Sequence, residues 1–353
     1  LRDEVIASDA SRSVVVYQPL GIVLCIMPWN FPFWQLIRAA ASAMMAGNVV
    51  VLKHASNVPQ CALALEAAFQ QAGFPANTFR TFMISAAQAE SMIADRRIAA
   101  VTLTGSCAAG RKVAAMAGQH LKKCVLELGG SDPFIVLDDA DIESTAQQAL
   151  VARLQNMGQS CIAAKRFILQ ETIASAFVEQ LQTLISQLRS GDPKDIGTTI
   201  APMARMDLRS ELQAQVERSQ ALGAQLVTGG FPIGEQGAYY APAILDHVQP
   251  GMPAFDEELF GPVAAIVRVK NAEEAVQLAN RTQFGLGGSV WTRDPARGEA
   301  LARQIHAGCT FVNGIVKSDP RLPFGGIKES GYGRELSYHG AREFVNIKTV
   351  WVR

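Results

Sequence analysis

A thiol, a carboxylate and an amide stand out in this chain because each lies beside backbone punctuation. Cys161 sits just beyond the Gly158-Gln159 break, where a loop can present its sulfur at the mouth of a strand. A thiolate is the best neutral-pH nucleophile toward a carbonyl when its setting is donor-rich and partly exposed. Glu127 lies within the apolar stretch Cys124 to Leu128, beside Gly129 and Gly130. Desolvation raises a carboxylate's pKa there and makes it a usable base near neutrality. Asn30 follows Trp29 between two prolines, and its amide can donate to a developing oxyanion with the Cys161 backbone N–H as second donor. Lys53 closes a buried run and can hydrogen-bond ribose or phosphate oxygens, while Gly105-Ser106 at a strand-to-helix turn offers N–H groups to a pyrophosphate. Each residue also has a plainer reading: buried thiol, strand-end carboxylate, turn amide, helix cap. Cys25, Cys61, Cys107 and Cys124 keep that plainer reading.

Positioning these groups requires an α/β framework. Short apolar runs alternate with helical patterns, which signals parallel strands. Strands are expected at Asn48–Lys53, Ala100–Thr104, Cys124–Leu128, Arg166–Leu169, Val263–Val269, Gly288–Trp291 and Cys309–Asn313. Helices are expected over about 59–72, 108–117, 173–188, 207–222, 272–280 and 295–306, with another running from Asp141 toward Gln155. Ser13–Gln18 and Ile347–Val352 alternate in the manner of edge strands, which pair with each other or with another subunit. A boundary between two units falls near Gly130.

At 353 residues the chain exceeds what one core usually holds, and 49% hydrophobic with 18% charged residues suits ordinary globular packing. Zero formal net charge gives no reason to expect nucleic acid or an anionic membrane as partner, since both need a concentrated basic surface. The run Gly21 to Met27 falls short of the about 20 residues a bilayer requires. Six cysteines without a C-x-x-C pair indicate neither a disulfide framework nor zinc, and a reducing cytoplasm suits them. No metal is called for. The opening residues are polar and lack an initiating Met, so a fragment, a processed form or an open-ended reading frame is expected.

The glycine fingerprint of dinucleotide folds, the P-loop, H-E-x-x-H and G-x-S-x-G are absent. In their place stand P-W-N-F-P at 28–32, L-T-G-S at 103–106, E-L-G-G at 127–130, N-M-G-Q-S-C at 156–161, E-L-F-G-P at 258–262 and P-F-G-G-I-K-E-S-G at 323–331. In this order and spacing they make the chain resemble the aldehyde dehydrogenase superfamily from about Val14 onward. The resemblance implies two Rossmann-like parallel-sheet domains plus oligomerisation strands. It divides the chain into an oligomerisation strand (1–18), an incomplete dinucleotide-binding domain (19–130), a catalytic domain (131–333) and a C-terminal oligomerisation segment (334–353). It also implies a homodimer or homotetramer. Earlier elements usual in the family would be missing, leaving exposed apolar surface and raising the alternative of a non-catalytic fragment.

By the same resemblance Cys161 attacks the aldehyde, Asn30 holds the oxyanion, and Glu127 activates water against the resulting thioester. NAD or NADP takes the hydride, held by Trp29, Lys53, Ser56, Gly105, Ser106, Leu128, Glu258 and Phe260. Ser56 occupies a position that is acidic in NAD-selective relatives, so a 2′-phosphate is tolerated. K-K-C-V-L-E-L-G-G-S-D-P-F-I-V-L at 122–137 and K-R-F-I at 165–168 are similar to bacterial succinate-semialdehyde dehydrogenases. Arg38 and Ser318 match carboxylate anchors of such enzymes, and an Arg offers a bidentate grip. The pattern departs at Gln155, where many relatives carry arginine, and at Ala163, where some carry a second cysteine. Lys317 or Arg321 is then a replacement cation, and another small aldehyde is the alternative substrate.

Overall fold

The computed structural model describes residues 1–353 and divides into two compact units. The first comprises Leu1–Leu128, Ser318–Gly326 and Gly331–Arg353, and the second Gly129–Lys317 and Ile327–Ser330. In chain order the first unit holds β1 (Glu4–Val5), β2 (Arg12–Pro19), β3 (Ile22–Met27), β4 (Val49–His54), β5 (Phe79–Thr81), β6 (Ile98–Thr104) and β7 (Lys123–Glu127). The second holds β8 (Asp132–Val136), β9 (Ala164–Gln170), β10 (Gln225–Thr228), β11 (Ala243–Asp246), β12 (Val263–Val269), β13 (Ser289–Trp291) and β14 (Phe311–Val312). The chain then returns to the first unit with β15 (Gly331–Tyr332) and β16 (Val345–Val352).

That return corrects the expected contiguous domain 131–333. Gly331 and Tyr332 pair antiparallel with Glu127 and Leu126, so hydrogen bonding ties the end of the P-F-G-G segment to the first unit's sheet. The sheet runs β15-β7-β6-β3-β4-β5, with β7 through β5 mutually parallel. Its two faces follow the period-two rule for strand side chains. Val23, Cys25 and Met27 pack with Leu36, Ala39, Ala40 and Leu65 of the helices Trp34–Met45 and Pro59–Gln71. Leu24, Val101 and Leu103 pack on the opposite face with Ile93, Val113 and Ala117 of Ala86–Ala94 and Cys107–Gln119. Full burial of each large aliphatic side chain contributes roughly 1.5–3 kcal/mol. The exposed apolar residues of this unit include Met45, Leu63, Phe74, Phe82 and Met83.

The terminal strands pair with each other: β16 runs antiparallel to β2 from Val345 opposite Pro19 to Val352 opposite Arg12, and β1 completes a three-stranded sheet.

In the second unit the order is β10-β11-β12-β9-β8-β13-β14, parallel except for β10 at one edge. Phe134, Val136, Phe167 and Leu169 face one core, and Ile135, Ile168, Ala265 and Val267 face the other. Both layers are covered by helices, as parallel sheets require. The expected helix to 306 stops at Ala302, and the expected strand Cys309–Asn313 shortens to Phe311–Val312.

Candidate active-site residues and family

In the first unit, β3 lies at the centre of the parallel strands. The chain proceeds outward to β4 and β5, then crosses back to β6 and β7 on the other side. Strand order therefore reverses between β3 and β6, and ligands of open α/β sheets bind beyond the strand carboxyl ends at such a point. Trp29 and Asn30 follow β3 there in a bend, both half-buried, and Gly105-Ser106 follow β6. Lys53 is opposite Ile26 near the end of β4, half-buried, and Ser56 is exposed in the next turn. His54, not singled out from the sequence, bonds through Nε2 to the Pro32 carbonyl at 2.9 Å and accepts from Ala55 N–H at Nδ1. Burial lowers its pKa, so a neutral imidazole ties the P-W-N-F-P bend to β4.

One expected donor is already engaged. Gly105 N–H donates to the Glu127 carbonyl at 3.0 Å, extending the β6–β7 ladder. Ser106 caps Cys107–Gln119 by accepting from Ala109 N–H at 3.3 Å. Leu128 is buried and packs where a Cβ on Gly110 would meet its Cδ1 at 2.5 Å.

Glu127 is 2% exposed, and neither carboxylate oxygen has a hydrogen-bond partner in the protein. A Cβ on Gly325, whose φ is +155°, would lie 2.7 Å from Glu127 Oε1, so the P-F-G-G backbone closes against the carboxylate. Burial pushes the Glu127 pKa well above its ordinary value; Glu335 raises it further, and Arg38 and Arg334 oppose.

Arg38, expected as a carboxylate anchor, is engaged within the first unit. It is 3% exposed, ion-paired with the equally buried Glu335, and stacked 4.3 Å over the Phe324 ring. The reason is helical geometry: Arg38 shares the inner face of Trp34–Met45 with Gln35, Leu36 and Ala39. Ser318 accepts a hydrogen bond from Trp34 Nε1 at 2.9 Å. Of the replacement cations, Arg321 is exposed and forked onto Asp319 at 2.9 and 2.6 Å, while Lys317 is exposed.

In the second unit, the residues singled out gather at the amino ends of three adjacent strands. Gly129-Gly130 precede β8, Cys161 precedes β9, and Glu258 and Phe260 precede β12, in the sheet order β12-β9-β8. Cys161 is partly exposed and follows three left-handed residues, Asn156 (φ 53°), Met157 (φ 56°) and Gly158 (φ 71°). Such a run is unfavourable for side-chain-bearing residues and persists only where the surroundings hold it. Arg153, 2% exposed, holds it by donating to the Gly158 carbonyl at 2.7 Å. A Cβ on Gly158 would collide with the Gly261 carbonyl oxygen, and one on Gly130 would lie 2.7 Å from that of Cys161.

Glu258 accepts from Gly130 N–H at 3.1 Å and lies 3.5 Å from Lys165 Nζ. Burial raises its pKa, and Lys165 opposes. Phe260 is partly exposed, Gln155 exposed, and Ala163 buried. Sequence reasoning passed over Arg153 and Lys165; the signal was a cation inside an otherwise apolar pattern, as in Ala164–Leu169.

The aldehyde dehydrogenase family model matches residues 1–350. A probable succinate-semialdehyde dehydrogenase [NADP(+)] of Synechocystis sp. is 54% identical over 352 residues, spanning 100% of this chain and 78% of the relative. Succinate semialdehyde dehydrogenase [NAD(P)+] Sad of Escherichia coli is 49% identical, covering 99% and 76%. Among solved structures, succinic semialdehyde dehydrogenase from Streptococcus pyogenes in complex with NADP+ superposes with a TM-score of 0.97 at 38% identity, covering 100% of this chain and 77% of that one. With the motifs, the two parallel sheets and these relatives in agreement, the chain belongs to the aldehyde dehydrogenase family.

Proposed function

We propose that this protein oxidises succinate semialdehyde to succinate with NADP or NAD as acceptor, through a thioester on Cys161. The observation that carries the reading is the Cys161 loop. Of the six cysteines, this one follows a run of left-handed residues held by a buried arginine. Strain of that kind persists where a reactive side chain must be aimed.

In this reading the Cys161 thiolate adds to the aldehyde carbon, and the carbonyl electron pair moves to oxygen. The Asn30 amide and the Cys161 N–H donate to that oxyanion. Bound NADP would supply the acceptor for the hydride, the hydrogen and electron pair lost from the same carbon. Glu127 then takes a proton from water, whose oxygen attacks the thioester and releases the acid and the thiolate. An unbonded, desolvated carboxylate suits that role because its affinity for a proton is raised.

The strand-order reversal beyond β3 and β6 fits a dinucleotide. Lys53, Ser56, Trp29, Leu128 and Ser106 would line it, with Gly105 contributing backbone approach rather than its engaged N–H. Glu258 would hold the ribose beside the ring and Phe260 would flank it. Ser56 carries no charge to repel a 2′-phosphate, in keeping with relatives named for NADP(+) or NAD(P)+.

Arg38's pairing with Glu335 favours a second reading, in which other small aldehydes are also accepted. Recognition of a distal carboxylate then falls to Ser318 and backbone donors. The assembly is a cytoplasmic homodimer or homotetramer, supported by the open edge of β16, where Ile347, Trp351 and Val352 are exposed. No helix is long and apolar enough to cross a membrane.

The test is NAD- and NADP-dependent oxidation of succinate semialdehyde and of butanal by the folded protein, beside Cys161→Ala. Loss of at least roughly 10³-fold in the variant is expected. Undiminished turnover there would overturn the nucleophile. Equal kcat/KM for the two aldehydes would favour the broader reading.

A further inference from the structure

Lys165 is the second residue of β9, and its side chain is wholly buried. An ammonium taken from water must have its donors met. Here three backbone carbonyls meet them: Ser160 at 3.0 Å, Cys161 at 2.9 Å and Ala163 at 3.1 Å. Glu258 Oε1 lies 3.5 Å away. The loop's own backbone adds Gln159 N–H to Asn156 and Ala163 N–H to Ser160.

The Ser160 and Cys161 carbonyls belong to the two peptide planes flanking the Cys161 Cα. Fixing both planes fixes the backbone dihedrals of Cys161, and with them the direction of its Cα–Cβ bond. In a trans peptide the N–H points opposite the C=O. A cation on the Ser160 carbonyl therefore turns the Cys161 N–H away from Lys165 and polarises it into a stronger donor. Besides Glu258 and Cys161, the charged groups facing Lys165 are Arg153 and Asp132. Burial and Arg153 work against the ammonium, while the two carboxylates and Cys161 support it.

We propose that Lys165 is the positioning residue of the nucleophile, holding both peptide planes around Cys161 and supplying the positive charge that favours its thiolate and strengthens its N–H. This rests on the reading of Cys161 as nucleophile. It assigns Lys165 a task that neither Arg153 nor Glu258 performs: Arg153 donates to the Gly158 carbonyl, and Glu258 accepts from Gly130 N–H and lies 3.5 Å from Lys165 Nζ.

Lys165→Met keeps an unbranched side chain one atom shorter and removes charge and donors; Lys165→Gln restores a partial donor. Both are compared with wild type and Cys161→Ala for kcat, KM, NADP affinity, melting temperature and the pH profile of Cys161 alkylation by iodoacetamide. In Lys165→Met we expect kcat to fall about 10²-fold with KM changed by less than about threefold. The alkylation midpoint should rise by about one pH unit. Lys165→Gln should lie between. A folded, NADP-binding Lys165→Met with unchanged kcat and alkylation profile would overturn the proposal while an inactive Cys161→Ala leaves the nucleophile standing. An active Cys161→Ala would sink the nucleophile reading itself. If neither lysine variant folds, Lys165 is a structural pin and the positioning role is overturned.

Discussion

Glu127 and Glu258 both press a carboxylate against glycine backbone, yet their surroundings treat them in opposite ways. In the first unit, Gly325 closes on Glu127, whose oxygens have no hydrogen-bond partner in the protein. In the second, Gly129 lies against Glu258, whose Oε1 is met by Gly130 N–H and approached by Lys165. Burial raises both pKa values, but Glu335 pushes Glu127 further up whereas Lys165 draws Glu258 down. A carboxylate denied donors is poised to take a proton, and one supplied with them is poised to stay charged and hold a position. The contrast extends to their units: fixed cations tie down the Cys161 loop, whereas the buried acid pair Glu127 and Glu335 shares the field of Arg38 and Arg334.

The largest effect that could break this contrast is catalytic. Glu127→Gln should lower steady-state turnover roughly 10²- to 10⁴-fold, because an amide cannot accept the water proton. Rapid-mixing assays should then show a burst of reduced cofactor equal to the enzyme present, followed by slow release. Glu258→Gln should cost only about tenfold, mainly in cofactor affinity, and show no burst. Equal losses and identical transients in both variants would erase the proposed division of roles.

Backbone strain supplies the next test. Gly158→Ala places a Cβ against the Gly261 carbonyl at a φ of +71°. Destabilisation of about 1–3 kcal/mol is expected in urea melts, together with loss of Cys161 reactivity. Gly325→Ala puts its Cβ at 2.7 Å from a side-chain oxygen of Glu127, so it should disturb turnover with little change in Cys161 alkylation. Parallel effects on alkylation would show that the two glycines do not serve separate groups.

The loops were legible because glycine or proline sits beside a chemical side chain in each, and such residues mark where regular elements break. The strand Asp132–Val136 was not: it opens on Asp132 and Pro133, residue types that ordinarily argue against a strand, only four residues after the previous sheet's last strand. The strand Phe79–Thr81 and the helix Ala86–Ala94 were too short or too weakly periodic to read. Arg38 shows a different limit. Its residue type and helix suited a ligand, but the carboxylate that meets it is Glu335, 297 positions away, and no local pattern reports such a partner. Lys165 is the same lesson in reverse, since its acceptors are carbonyls, which carry no sequence signal.

The smallest effect concerns stability and follows from the sign of the Glu127 shift. A carboxyl whose pKa rises on folding binds its proton more tightly in the native state. Its stabilising contribution is complete below the ordinary value of 4.5 and is lost as pH climbs through the raised native value. Glutamine does not titrate, so Glu127→Gln escapes that loss. Its melting temperature relative to wild type should therefore rise as pH climbs above the ordinary value of 4.5, by a few degrees at most for a chain of this size. Glu258→Gln should show a weaker trend, because Lys165 and the Gly130 N–H offset burial there and would lose their charged partner. A relative melting temperature for Glu127→Gln that stays flat or falls with pH would mean that Glu127 is solvated or paired in solution, and the contrast between the two carboxylates would go with it.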